Sequence, residues 1–357
     1  MKKVLCIINT YKKNGPSRVI KSLIMQKNEE YEISVLSLFA GNDGEEVSYL
    51  INNGCKYYAL NLKSKKNIIF NYCKLKKFIK ENDFDIIHTH GIIPDFLLAL
   101  MKLKQKKVTT IHNNLYEDYK SGYGIKSYIM IPVHIWAFKR FDKCVCCGKN
   151  VYDVLKNKLR NACFVRNGIE NKKEKNGICK KNLLIDVDNI VYLYVGVLSE
   201  RKNVLELMEL FKNNCNDNEV LLVLGDGELK EKCLEYESKN IKLLGFVNNP
   251  TDYMAMADVY VSASKSEGFS ISVVEALQNG CYLLLSDIPA HRECFEIDEK
   301  YYIGELFSSD NFKEKIEKLR IALNMKNSEK ILEFQGKYLS NEVMVNEYIK
   351  VYKKLDL

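Results

Sequence analysis

The stretch DVYVSASKSEGFSISVVEALQNG (258–280) reads as one strand, one short loop and one helix. Val259, Tyr260 and Val261 supply the β-branched and aromatic residues of a buried strand that ends near Ser264. The loop carries Glu267-Gly268-Phe269-Ser270, and from Ile271 the apolar residues recur at helical spacing through a segment that includes Glu275. A strand leading through a short loop into a helix is half of a right-handed βαβ crossover, so the next strand should lie parallel to it. CYLLLSD (281–287) follows at once and fits that place.

The same alternation extends outward. Upstream lie IVYLYVG (190–196), VLLVLG (220–225) and IKLLGF (241–246). The first half offers VLCIINT (4–10), ISVLSLF (33–39), KYYAL (56–60), DIIHT (85–89), KVTTIH (107–112), KCVCC (143–147) and CFVRN (163–167). Helical patterns separate them, clearest at 17–26, 67–80 and 94–104. ENKKEKNGICKKN (170–182) interrupts the series, polar and nearly free of apolar residues, and reads as a linker. The length of 357 residues is about twice that of a usual single domain, which supports two domains, 1–170 and 171–340. The expected fold class is α/β, with two doubly wound, Rossmann-like parallel-sheet domains facing across a cleft.

Composition excludes several classes of protein. Hydrophobic residues make up 46% and charged residues 28%, the balance of a globular chain rather than a disordered one. The apolar run in MKKVLCIINTYKKNG is too short for a signal-peptide core. The longest uncharged apolar run, Tyr128 to Phe138, contains His134 and falls short of the ~18 residues of a membrane span. Twelve cysteines in a chain of this kind read as reduced thiols, and the expectation is a cytoplasmic, non-spanning protein. Charge is unevenly placed. Residues 1–170 carry 29 Lys and Arg against 15 Asp and Glu, a net of +14, while the remainder is −6. Either the basic half faces an anionic partner, or lysines simply solvate its helices.

In open parallel sheets ligands sit at the carboxyl ends of strands, where helix N-termini present free N–H groups. Glu267 and Glu275 fall there, and paired carboxylates accept hydrogen bonds from a sugar or ribose diol. The amides of Gly268, Phe269 and Ser270 suit phosphate or hydroxyl oxygens. An ordinary turn, with Glu275 favoured by the helix dipole, accounts for the same residues without a ligand. In YVGVLSERKN (194–203), Gly196 leaves a strand and Arg201 and Lys202 stand at the head of the next helix. Cations there are unfavourable unless an anion shares the site, which implies a phosphate; two solvated surface cations are the plainer alternative.

These motifs, taken in order, carry a resemblance. Gly196…Lys202, Gly225-Asp226-Gly227, Gly245-Phe246-Val247 and Glu267-Gly268-Phe269-Ser270…Glu275 look like the donor-binding domain of the retaining, metal-independent GT-B glycosyltransferases of the fourth sequence family. Gly15 in the loop after the first strand, HTHG (88–91), TIHNN (110–114) and Asn167-Gly168-Ile169-Glu170 resemble the N-terminal half of that family, so the likeness runs from about residue 3 to 350.

The resemblance implies roles. Glu275 would hold the ribose of a nucleoside diphosphate sugar, a UDP-sugar, and Glu267 would contact hydroxyls of the transferred hexose or N-acetylhexosamine. Gly268, Phe269 and Ser270 would orient that sugar and its diphosphate, with Gly196 beside them. Lys202, helped by Arg201, would neutralise the leaving diphosphate. Phe246 and Val247 would line the nucleobase pocket, and His112 would approach the reacting sugar from the N-terminal domain. Gly15 and Ser17 would belong to the acceptor loop. Many relatives carry an arginine directly after the strand-exit glycine; Val197 stands there, so Arg201 takes over that charge or Lys202 and helix amides carry it alone. The closing helix, within about 341–357, would pack back on the N-terminal domain.

The acceptor implied is a lipid-linked glycan or growing surface polysaccharide, of capsule, O-antigen or exopolysaccharide type. Lys63, Lys65, Lys66, Lys74, Lys76, Lys77, Lys80, Lys102, Lys104, Lys106 and Lys107 flank Ile68, Ile69, Phe70 and Leu103, a pattern suited to the anionic inner leaflet of a membrane. No metal and no cofactor is expected. Asp186-Val187-Asp188 lies beside the linker rather than at a strand exit, and Cys144, Cys146 and Cys147 lack zinc spacing. His88 and His90 would share a metal only if both side chains turned to one side. The alternatives are a nucleotide-sugar 2-epimerase of the same fold and a non-catalytic basic protein that grips nucleic acid. The lysines lack the interleaved aromatics that nucleic-acid binding uses, so no nucleic-acid partner is expected.

Overall fold

The computed structural model describes residues 1–26, 29–64, 66–170, 179–325 and 328–355. Positions 171–178 of the expected linker and Lys65 of the lysine patch lie outside the described residues. The chain divides into two compact units, Met1–Glu170 with Asn341–Leu357, and Asn171–Ser340.

Among the described residues the first unit holds seven strands: β1 (Lys2–Ile8), β2 (Tyr31–Phe39), β3 (Tyr57–Leu62), β4 (Ile86–His90), β5 (Lys106–Ile111), β6 (Lys143–Cys146) and β7 (Ala162–Phe164). They form one sheet in the order β3-β2-β1-β4-β5-β6-β7, every pair parallel. The second unit holds β8 (Ile190–Val195), β9 (Glu219–Leu224), β10 (Ile241–Gly245), β11 (Val259–Ser262), β12 (Tyr282–Ser286) and β13 (Gly304–Phe307), in the order β10-β9-β8-β11-β12-β13 and again parallel throughout. Strands covered on both faces carry unbroken apolar runs, and Val4, Leu5, Cys6 and Ile7 of β1 are completely buried. In both sheets the order reverses beside the first strand, the topological switch point at which doubly wound sheets bind ligands.

Local chemistry sets the ends of the helices. Gly15–Met25 starts at Asn14, whose side-chain oxygen accepts from Ser17 N at 3.1 Å, and Pro16 sits in the first turn, where its missing N–H has no helical partner to lose. The helix expected over 94–104 is Ile92–Ala99 instead. It stops because β5 begins at Lys106, and Met101, 2% exposed, plugs the core on the way back. Asn341–Lys353 belongs to the first unit, where Met344, Val345, Tyr348 and Tyr352 join the core around Val4, Val35 and Val108. Asn341 N donates to Ile169 O at 2.9 Å at its start. Among the described residues no helix is long and apolar enough to cross a membrane.

Candidate active site

In the second unit the exits of β8, β9 and β10 are fused backbone to backbone. Gly196 N donates to Leu224 O at 3.0 Å and Gly225 N donates to Gly245 O at 2.8 Å. Gly225 has φ +147°, and a Cβ there would stand 1.8 Å from Gly196 O; at Gly227 it would stand 2.4 Å from Leu198 O. Only glycine fits either place. These residues therefore have a packing reason for their identity, and they fix where the turn Ser199–Asn203 presents its cations.

Those cations converge on one carboxylate. Arg201 Nη1 donates to Ser266 O at 2.7 Å and lies 3.4 Å from Glu267 Oε2, and Lys202 Nζ pairs with Glu267 Oε1. The Glu267 side chain is 8% exposed. Burial pushes its carboxyl pKa up, but Lys202 and then Arg201 outweigh this and hold it below the ordinary value. One carboxylate offsets only one of the two cations, so the cluster keeps a net charge of +1 beside the head of Val204–Asn214. Both cations take part in the cluster, and Val197, directly after Gly196, is 58% exposed. Gly268 and Phe269 are buried, Ser270 precedes the first turn of Ile271–Gln278 without a side-chain capping bond, and Glu275 is 8% exposed one turn inside that helix. Gly245 has φ +69° and sends the chain outward, leaving Phe246 72% exposed and Val247 half-buried.

One residue escaped the sequence reading. His291, 1% exposed, binds Ser286 O through Nδ1 at 2.8 Å, which puts the ring proton on Nδ1. Nε2 is then a buried acceptor without a partner among the described residues. Burial lowers its pKa, against the hydrogen bond to Ser286 O and the charge of Glu267, which favour the protonated ring. Its position just past the exit of β12 was the signal that could have found it.

In the first unit the exits of β1, β4 and β5 carry the counterpart cluster. Cys6 is in register with His88 and Ile8 with His90, so both histidines do turn to one side. Their ring centroids are 4.3 Å apart, and His90 and His112 are 5.2 Å apart. Donor atoms of Cys6, His88 and His90 lie within 4.8 Å of one another. His88, however, spends both nitrogens on hydrogen bonds, Nδ1 to Tyr352 Oη at 2.7 Å and Nε2 to Thr110 Oγ1 at 2.8 Å, and burial pushes the Cys6 thiol far up. The arrangement fits a hydrogen-bonded network better than a set of metal ligands.

His112 Nε2 meets His90 Nδ1 at 3.0 Å, and His90 Nε2 is buried without a partner among the described residues. If His112 donated, the His90 proton would sit on that orphaned Nε2. If His90 donates, only an acceptor lone pair is orphaned, the lesser cost. His112 therefore carries its own proton on Nδ1. Burial lowers the pKa of His112 to about 4 and of His88 to about 3, and burial, with His88 and His112 nearby, puts His90 well below the usual range. Ser17 is 3% exposed, and its Oγ accepts from Lys12 N at 3.3 Å, so in this structure it closes the loop that Gly15 leaves.

Residues 177–335 match the family described as Glycosyl transferases group 1, and residues 13–173 match Glycosyltransferase Family 4. Together with the two parallel sheets these matches define the class, and the chain belongs to the group 1 glycosyltransferases of the GT-B fold. The O-antigen biosynthesis glycosyltransferase WclY of Escherichia coli is 29% identical over 313 residues, 82% of each chain. The E. coli UDP-Gal:alpha-D-GlcNAc-diphosphoundecaprenol alpha-1,3-galactosyltransferase is 25% identical, over 96% of this chain and 92% of its own. Among solved structures, Anabaena HepE in complex with UDP and glucose superposes with a TM-score of 0.79 at 14% identity, over 99% of this chain and 100% of its own, a likeness of fold.

Proposed function

We propose that this glycosyltransferase is a retaining, metal-independent enzyme that moves a hexose or N-acetylhexosamine from a UDP-sugar to a lipid-linked or growing surface-polysaccharide acceptor at the inner face of the membrane. The observation that carries the reading is the Arg201–Lys202–Glu267 cluster, partly buried at strand exits and left with one positive charge. In the proposed reaction the bond between the anomeric carbon and the diphosphate oxygen breaks, and the acceptor oxygen bonds to that carbon. The leaving diphosphate accumulates negative charge, which Lys202 and Arg201 offset, and it takes the proton of the acceptor hydroxyl. Glu267, held ionised by the cations, accepts from sugar hydroxyls; Glu275 accepts from the ribose; Phe246 and Val247 border the base. The amides of Gly268, Phe269 and Ser270, beside Gly196, orient sugar and diphosphate. His112, with its proton on Nδ1, donates to an oxygen of the reacting sugar, and Gly15 and Ser17 shape the acceptor loop. The named activities of the two E. coli relatives support the donor and acceptor classes.

The test is a thermal-shift panel of nucleoside diphosphates and their sugars, without added metal, on the wild type and Glu275→Ala. Ligand at about 100 times its Kd stabilises by roughly 2.7 kcal/mol. A shift with uridine nucleotides that disappears in Glu275→Ala is expected. No shift with any nucleotide would remove the donor assignment.

A further inference from the structure

The helix Ser127–Phe138 contains no charged residue, yet only part of its surface is covered. Its inner face is pinned by one polar side chain. His134, 3% exposed, meets Tyr119 Oη through Nδ1 at 2.6 Å and Asp95 Oδ2 through Nε2 at 3.1 Å. Asp95 in turn accepts from Thr89 and, at 2.8 Å, from Thr109. This clamp fixes the rotation of the helix, and the 3.6-residue period then puts Tyr128, Ile129, Pro132, Val133 and Trp136 on the opposite face. They are exposed there, Tyr128 by 79%, Ile129 by 72%, Val133 by 44% and Trp136 by 39%, and Ile125 in the turn just before is 86% exposed. A helix apolar on all sides is normally buried on all sides, so this face lacks its partner.

The charges around it indicate which partner fits. From Tyr119 to Phe141 the chain carries Lys120, Lys126, Lys139 and Arg140 and no carboxylate. All four are exposed, and the Arg140 guanidinium lies 3.7 Å over the Trp136 ring at the end of the apolar stripe. A second copy of this face would bring cation against cation. Aromatic and aliphatic side chains between cations match a bilayer interface, with the apolar face in the acyl boundary and the cations among anionic phosphates.

We propose that Ser127–Phe138, with the turn Gly124–Lys126, is the element that enters the surface of an anionic phospholipid membrane. The inference rests on the reading that the enzyme works at a membrane. It moves the apolar contact away from the lysine-rich helix Ile68–Glu81, which becomes a flank: that helix packs beside Ile92–Ala99, which packs beside Ser127–Phe138.

Trp136 is the only tryptophan in the chain, so its fluorescence reports this face alone. The wild type is mixed at low salt with vesicles of phosphatidylcholine, with or without phosphatidylglycerol, and with brominated lipid as quencher. A blue shift and quenching are expected with the anionic vesicles. Ile129→Ser should weaken vesicle binding about tenfold or more, and Lys126→Gln or Lys139→Gln about fivefold each. All three variants should keep the wild-type thermal shift with uridine diphosphate, which shows that they are folded. Sedimentation with anionic vesicles without any change at Trp136 would overturn this inference and leave the membrane reading to the Ile68–Glu81 helix. No sedimentation at all would overturn both. A vesicle-free blue shift that grows with concentration, accompanied by a dimer mass, would assign the face to a second copy.

Discussion

Lys202 and Glu267 are each other's main partner, and neither is separable from the fold. Replacing Lys202 by alanine leaves a buried carboxylate with Arg201 as its remaining cation. Breaking a buried pair costs roughly 3–5 kcal/mol, and the remaining Arg201 should hold the loss near the lower end. Glu267→Gln acts in the other direction on charge: the cluster rises from one net positive charge to two. Lys202→Ala should therefore lower both Tm and nucleoside diphosphate affinity, whereas Glu267→Gln should lower turnover while keeping or strengthening that affinity. Calorimetric titration of uridine diphosphate into both variants checks this, and equal losses of affinity would contradict the charge argument. At this scale the sequence places Arg201, Lys202 and Glu267 at strand exits, where parallel sheets bind ligands. The structure brings those three side chains together, with Glu275 one turn inside the following helix. His291 lies at such an exit too, but nothing in SDIPAHRE announces that its Nε2 is buried and unpartnered, since that depends on Ser286 O claiming Nδ1.

Most of the strands were legible as elements because burial on both faces demands unbroken apolar runs. β13 was not: it is four residues long, pairs only with β12 at the sheet edge, and carries Glu305 in its middle. Ser127–Phe138 was legible only as an apolar run too short to span a membrane. Which side is covered depends on Tyr119 in the preceding helix and on Asp95, far from it in sequence. Asn341–Lys353 shows how one element holds a unit together. Its Tyr352 hydroxyl satisfies His88 Nδ1, and Tyr348 Oη stands 3.0 Å from Thr110 Oγ1. Tyr352→Phe keeps the ring but strands a buried imidazole nitrogen, at a cost of roughly 1–3 kcal/mol. The urea midpoint of the Trp136 fluorescence transition should fall accordingly. Deleting residues 341–357 removes Met344, Val345, Tyr348 and Tyr352 from the core, at roughly 1.5–3 kcal/mol for each large apolar side chain, comparable with the whole stability of a domain. The truncated protein should lose the cooperative transition of that unit, and an unchanged transition would show that the helix is dispensable.

Over the whole molecule, four of the five histidines make stability depend on pH in a way that net charge alone does not. His88, His90 and His112 in the first unit and His291 in the second are held neutral by burial, with pKa values below the ordinary 6.5. The unfolded chain takes up a proton on each near pH 6.5, whereas the folded chain does not until near pH 4 for His112 and near pH 3 for His88. Between those values the unfolded state binds more protons, so stability falls as pH falls below 6.5 and is level above it. The limiting slope is roughly 1.4 kcal/mol per pH unit for each such histidine. Around the His88–His90–His112 group stand Cys6 on β1, Tyr348 and Tyr352 on the closing helix and Thr110 on β5, none of which supplies a charge near neutral pH to offset imidazolium. His134 differs in facing Asp95. Three of the four burial-neutralised histidines lie in the unit that holds the single tryptophan. The urea midpoint followed by Trp136 fluorescence should therefore drop more steeply between pH 7 and pH 5 than one followed by a probe in the second unit, such as a dye attached at the exposed Cys179. Equal slopes in the two probes would mean that the histidine cluster takes up protons without unfolding.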